Sequence, residues 1–279
     1  MKKMVFPTIG TTIAVGMLAA GGVGGADGDG AAIDGFTGHE FRQEGQTMPY
    51  RLLAPEKLEA GKRYPLILSM HGMGSIGDDN RKQLFLAGMV ASRPEVKREQ
   101  AFVLAPQCPT TDRWVKVASW NEETHVFAPE PTQAMKLAMA ILDHVVSSYP
   151  IDPERIYVGG GSMGGFATWE LLARRPGFFA AAFAICGGGC VAQADAIAKT
   201  PVWAFHGTDD TTVLLRNSQE MTAAVKKGGG EVKFTEYPGV QHDAWTPALK
   251  EPELFRWLFE HKKKPGSVSP SSDTKTKAQ

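Results

Sequence analysis

Short, almost unbroken apolar runs alternate along the chain with longer segments whose apolar residues recur every three to four positions. The runs cover residues 64–70, 101–105, 155–158, 180–186 and 201–205. Strands buried on both faces of a parallel sheet read this way. Between them, residues 132–148 place Met135, Leu137, Ala138, Ile141, Leu142, Val145 and Val146 along one side of a helix. Residues 168–175 and 214–227 repeat that spacing, and Leu254, Trp257 and Leu258 mark a last helix. Residues 231–237 alternate polar and apolar positions, which predicts a strand nearer the sheet edge, and residues 47–53 supply an antiparallel lead-in strand. Strand–helix alternation of this kind predicts right-handed crossovers and an open, mostly parallel, doubly wound α/β sheet. With no internal repeat or linker, one domain is expected.

Composition changes this picture mainly at the two ends. The 279 residues carry 30 basic and 30 acidic side chains, a formal net charge of zero, so no polyanion-binding surface is implied and nucleic acid is not an expected partner. Three cysteines are too few for a disulfide scaffold, and their odd number leaves at least one thiol without an internal partner. Met1-Lys2-Lys3 is followed by an uncharged stretch that turns small and glycine-rich toward Gly24-Gly25-Ala26. That is the layout of a secretory signal peptide over residues 1–26, with an uncleaved anchor helix as the alternative. Pro7 and the glycines weaken the anchor reading, so a secreted or periplasmic protein without membrane attachment after cleavage is expected. Residues 265–279 are rich in Ser, Thr and Lys and read as a disordered tail. Residues 27–264 remain for the folded domain.

Ligands of such sheets collect at the carboxyl ends of the strands. The run ending at Val158 continues as Gly159-Gly160-Gly161-Ser162-Met163-Gly164-Gly165 and then a helix. Residues 160–164 fit G-x-S-x-G, in which a sharp strand-to-helix turn exposes a serine hydroxyl and small neighbours let backbone segments pack closely around it. The helix N-terminus there stabilises developing negative charge. A serine nucleophile needs a base and the base an orienting acid, and later strand ends offer both in that order. His206-Gly207-Thr208-Asp209-Asp210 follows one run, and Gln241-His242-Asp243 follows the next. His242 is assigned as the general base and Asp210 as the acid, with Asp209 as rival. A turn or helix-cap role is the alternative for either aspartate. His206 is read as a loop support. His71-Gly72-Met73-Gly74 lies at a fourth strand end, where acyl transfer needs a backbone N–H aimed at the oxyanion. Met73 and Met163 are the expected donors.

These segments resemble the α/β-hydrolase fold. The likeness is specifically to the predicted-peptidase/esterase group related to dienelactone hydrolases and to polyhydroxybutyrate-depolymerase-like or feruloyl-type esterases. The resemblance rests on Leu68-Ser-Met-His-Gly72, Gly77-Asp-Asp-Asn80, Ala105-Pro-Gln-Cys-Pro109 and Ile151-Asp-Pro-Glu-Arg-Ile-Tyr157. It continues through Ser162-Met-Gly-Gly165, Ile185-Cys-Gly-Gly188, Pro201-Val-Trp-Ala-Phe-His-Gly207 and His242-Asp-Ala-Trp245. It spans about residues 47–262. The group's H-G-x-x-D-x-x-V pattern implies Asp210 as the acid, with Val213 following. Dienelactone hydrolases carry a cysteine nucleophile where this chain has Ser162, so their reaction does not transfer.

Spacing adds a further expectation. The interval from Ser162 to Asp210 is filled by strand, short helix and strand, and that from Asp210 to His242 by one helix and one strand. No room remains for a large cap domain, so an open site is expected, covered at most by residues 75–82 and the loop 110–131. Trp120 in that loop and Trp245 beside the histidine are candidate pocket residues, with core packing as the alternative. Cys186 and Cys190 read either as a small disulfide or as unpaired thiols, and no cofactor or metal is implied. The expected activity is hydrolysis of small-molecule or polymer-linked carboxylic esters by a Ser-His-Asp triad through an acyl-enzyme. A peptidase or amidase of the same fold is the first alternative, and a non-catalytic ligand-binding relative the second.

Overall fold

The computed structural model describes residues 30–121 and 125–263. The stretches read as a signal peptide (1–26) and as a tail (265–279) lie outside these residues. Strands β1 (Gly30–Ile33), β2 (Phe36–Gln43), β3 (Gln46–Leu53) and β4 (Tyr64–Met70) lead to helices α1 (Leu84–Ala91) and α2 (Pro94–Arg98). Then come β5 (Phe102–Pro106), α3 (Gln133–Ser148), β6 (Ile151–Gly161), α4 (Met163–Arg174) and β7 (Ala181–Ile185). The chain closes with α5 (Ala194–Ile197), β8 (Val202–Gly207), α6 (Arg216–Lys227), β9 (Val232–Tyr237), α7 (Trp245–Ala248) and α8 (Leu254–Glu260).

The strands form one nine-stranded sheet in the order β1-β2-β3-β5-β4-β6-β7-β8-β9. From β5 to β9 every pairing is parallel, whereas β1, β2 and β3 add an antiparallel flank. All seven residues of β4 are buried, as its unbroken apolar run requires. One face of the sheet packs against α3, α4, α5 and α6, with Met135, Ile141, Trp169 and Met221 in that layer. The other packs against α1, α2, α7 and α8 through Leu86, Val90, Phe255 and Leu258. Burial on both faces is what allows these strands to be apolar throughout.

Local chemistry sets several boundaries. Thr132 caps α3, its Oγ1 accepting the Met135 N–H at 3.0 Å while donating to Trp114 O at 2.9 Å. The helix expected from residue 168 begins five residues earlier, at Met163. The glycines that hide its start from a propensity reading are there because backbone passes too close for a side chain. Strand β2 and helix α1 were not foreseen. β2 (FTGHEFRQ) has few apolar positions, and α1 (LFLAGMVA) is apolar on every side and so shows no helical stripe. Among the described residues no large cap interrupts the sheet. The connection from β7 to β8 holds only a short helical turn and α5.

Candidate active site

Ser162 lies between β6 and α4 at φ 57°, ψ −123°, a left-handed conformation that non-glycine residues adopt only where the surroundings enforce it. The surroundings are backbone. A Cβ on Gly160 would come within 2.4 Å of Gly164 O, one on Gly164 within 1.9 Å of Met70 O, and one on Gly165 within 2.6 Å of Ile185 O. The Ser162 N–H donates to Ile185 O at 2.9 Å, and the Gly165 and Phe166 N–H groups return to Ser162 O.

The three residues expected to cooperate meet at the carboxyl ends of β6, β8 and β9. Ser162 Oγ–H donates to His242 Nε2 at 2.9 Å, and His242 Nδ1–H donates to Asp210 Oδ2 at 2.7 Å. The other Asp210 oxygen, Oδ1, accepts the Thr212 and Val213 N–H groups at 2.9 and 3.0 Å. Burial alone would raise this carboxyl. The hydrogen bonds from His206, His242 and the Val213 N–H together outweigh it and hold Asp210 far below the ordinary carboxylate range. An ionised Asp210 only accepts, so the His242 proton resides on Nδ1 and leaves Nε2 free to receive another. Asp209, the rival acid, is exposed and accepts from its neighbour Thr208 at 2.9 Å.

His206 is fully buried behind Asp210. Its Nε2 lies 2.8 Å from Val213 O and 3.3 Å from Asp210 Oδ2, and its Nδ1 lies 2.7 Å from Ser218 Oγ. The loop-support reading holds, with contact to the acid itself added.

The loop after β4 closes over the serine. A Cβ on Gly72 would sit 3.2 Å from Gly161 O and 3.4 Å from Ser162 Cβ, so this loop packs closely against the serine turn. The N–H groups of Met73 and Met163 are not taken by any backbone acceptor among the described residues. His71 anchors the loop from beneath. Its Nδ1–H donates to Gly72 O at 2.7 Å, its Nε2 accepts the Cys108 N–H at 2.9 Å, and its carbonyl accepts from Trp114 Nε1 at 3.1 Å. Burial lowers its pKa to about 4, so the ring is neutral as those bonds require. Buried Gln107 holds the next stretch, with Nε2 donating to Asp79 Oδ1 at 2.8 Å and Oε1 accepting the Asn80 N–H at 2.7 Å.

Of the two tryptophans singled out in the sequence, Trp245 borders the triad histidine, while Trp120 packs on α4. Trp120 is half-buried against Phe166 (ring centroids 5.1 Å apart), and Trp245 is half-buried with its ring 5.4 Å from that of His242. The sequence did not single out His71 as an anchor, Gln107, or Phe85 and Phe166 as neighbours of the site. The His-Gly and Pro-Gln-Cys-Pro segments carried the signal for the first two, while Phe85 and Phe166 read as ordinary helix residues.

All three cysteines are free, Cys108 and Cys186 buried and Cys190 partly exposed. Cys186 Sγ donates to His242 O at 3.7 Å, and burial raises the thiol well above its usual range. Its sulfur, Asp210 and His242 together place potential ligand atoms within 4.8 Å of one another. The donor set does not suit a metal, because the thiol is held protonated and both partners are committed to each other.

The fold and this cluster define an α/β-hydrolase with an uncapped site at the topological end of its parallel strands. Residues 58–255 match the phospholipase/carboxylesterase family, and the chain belongs to it, an esterase by class. It is similar to the Arabidopsis thaliana protein named probable carboxylesterase SOBER1-like, at 28% identity over 227 residues covering 73% of this chain and 81% of that protein. It is also similar to acyl-protein thioesterase 1 of Gibberella zeae, at 25% identity over 230 residues covering 70% of this chain and 91% of the relative. Among solved structures, a thermostable esterase superposes with a TM-score of 0.76 at 34% identity, covering 82% of this chain. This chain spans only 64% of that esterase's length.

Proposed function

We propose that the protein hydrolyses carboxylic esters through an acyl-enzyme on Ser162. The observation that carries this reading is the continuous hydrogen-bond relay from Ser162 Oγ through His242 to Asp210, at 2.9 and 2.7 Å. As Oγ bonds to the ester carbonyl carbon, its proton passes to Nε2, and the imidazolium is stabilised by ionised Asp210. The Met73 and Met163 N–H groups donate to the developing oxyanion, aided by the N-terminus of α4. Nε2–H then returns the proton to the alcohol oxygen as the C–O bond breaks, and water releases the acid by the same steps in reverse order.

Trp120 and Trp245 line the substrate cleft in this reading, and an unchanged apparent affinity in Trp120→Ala would remove Trp120 from it. The basic start and uncharged, glycine-rich stretch of residues 1–26 support export, with the mature chain working outside the cytoplasm. N-terminal sequencing of protein recovered from the extracytoplasmic fraction checks that. Wild type and Ser162→Ala, assayed with a short-chain chromogenic ester and a peptide panel, test the central proposal. Ester turnover lost in the variant is expected. Full activity in Ser162→Ala removes the nucleophile, and peptide cleavage without ester cleavage replaces esterase by peptidase.

A further inference from the structure

Aromatic residues from opposite faces of the sheet stand near the Ser162 turn: Phe166 on α4, with Trp120 packed on it, and Trp245 beside Gly161. Trp120 meets Phe166, one helical turn past Ser162 on α4, and packs with the layer containing α3 and α4. Trp245 stands at 87° to the His242 ring, lies beside Gly161, and packs with the layer containing α1 and α8. Phe85 extends the Trp245 side. Helix α1 buries Leu86, Ala87 and Val90, yet leaves Phe85 60% exposed, with its ring 6.5 Å from Trp245 at 84°. An exposed aromatic ring in edge contact with the tryptophan that touches the site's histidine has an open partner position.

Proton transfer decides which half of a substrate each side meets, an argument that rests on the acyl-transfer reading above. When the C–O bond breaks, the proton on Nε2 moves to the alcohol oxygen, so that oxygen must lie within hydrogen-bond reach of Nε2. The group attached to it therefore emerges on the His242 side, along Trp245 and Phe85. We propose that Phe85 and Trp245 form a leaving-group subsite selecting esters of ring-bearing apolar alcohols. Phe85 is the specificity residue, and Trp120 and Phe166 border the acyl half. Phe85 takes no part in bond making or breaking; it gains buried contact only when the alcohol carries a ring.

The test compares kcat/KM for benzyl against methyl acetate, and for methyl butyrate against methyl acetate, in wild type, Phe85→Leu and Phe85→Ala. The exposed position predicts folded variants, checked by circular dichroism and melting temperature. Phe85→Ala is expected to lower the benzyl-to-methyl ratio about tenfold, the scale of a lost apolar contact in a specificity pocket. Phe85→Leu should fall in between, and the butyrate-to-acetate ratio should stay at its wild-type value. An unchanged benzyl-to-methyl ratio, or an equal fall in the acyl series, overturns the subsite while leaving the serine mechanism standing. A wild type inactive on every ester, or a fully active Ser162→Ala, overturns the mechanism and the subsite with it.

Discussion

Substituting alanine for Gly164 adds one methyl group to the first turn of α4, and the structure says where that group must go. The new Cβ would lie 1.9 Å from Met70 O, 2.6 Å from Met70 C and 3.0 Å from His71 O. Every one of these atoms is backbone, so no side chain can rotate aside. Reaching even 3.0 Å from Met70 O requires α4 and the end of β4 to separate by about 1 Å, with overpacking of this kind costing about 1–3 kcal/mol. For a domain of this size that lowers the melting temperature by roughly 2–12 °C. The separation acts on function as well, because Met163 heads α4 and Met73 follows the end of β4, so the two N–H donors move apart. A misplacement of about 1 Å is worth on the order of 100-fold in rate. Gly88→Ala is the control, being the same chemical change inside helix α1, where nothing lies within 4 Å of the added Cβ. It should stabilise by about 0.5–1 kcal/mol through helix propensity, with unchanged ester turnover. Scanning fluorimetry and steady-state ester hydrolysis read both variants. Gly164→Ala with wild-type melting temperature and kcat would refute the close-packing account of the elbow.

Three further outcomes are expected. Burial holds His71 at about 4 against 6.5 for the free side chain; between these values the unfolded chain binds a proton that the folded chain refuses, so stability rises with pH across that window. Melting temperature should climb from pH 4 to 6.5 in the wild type and more weakly in His71→Gln, and parallel curves would contradict the assignment. Thiol titration of the native protein should label Cys190 rapidly and Cys108 and Cys186 only after denaturation, where a Cys186–Cys190 disulfide would leave one reactive thiol under non-reducing conditions. In Asp210→Asn the amide oxygen must face the Thr212 and Val213 N–H groups, which leaves NH₂ facing His242 Nδ1. That forces the ring proton onto Nε2, and kcat should fall by about 10⁴ at neutral pH with the fold intact, whereas a loss under tenfold would sink the orienting role.

Most of the parallel half of the sheet was legible because β4, β5, β7, β8 and the end of β6 are buried, so their apolar runs needed no period to be recognised. Strand β9, with no buried residue, was instead read from its alternation. Ser162, Asp210 and His242 were legible for a related reason, since each lies a few residues beyond a strand the sequence predicted and the carboxyl ends of parallel strands converge. Asp210 was preferred over Asp209 from the strand-end reading, and the resemblance to a known pattern agreed with that preference. The structure supplies the physical ground, a buried carboxylate with two backbone N–H donors on Oδ1, against an exposed turn residue at 209. The antiparallel strand β2 was illegible because its outward face is polar and its partner β3 lies on the flank. Phe85 was illegible for the opposite reason. In a helix apolar on every side, sequence alone does not say which residue the fold leaves uncovered.

The glycines around Ser162 suggest a flexible loop in sequence, but their contacts require the reverse. Holding a serine at φ 57° costs about 1–3 kcal/mol, and relaxing it would swing Oγ away from His242 Nε2. Relaxation is opposed by the Ser162 N–H bond to Ile185 O and by the two N–H groups returned to Ser162 O. It is also opposed by the backbone of Met70, Gly164 and Ile185, which presses to within the distance a methyl group would need. Glycine at 160, 164 and 165 is thus what permits three backbone segments to pack tightly enough to trap the strained residue. This glycine-rich segment is, for that reason, tightly constrained rather than loose.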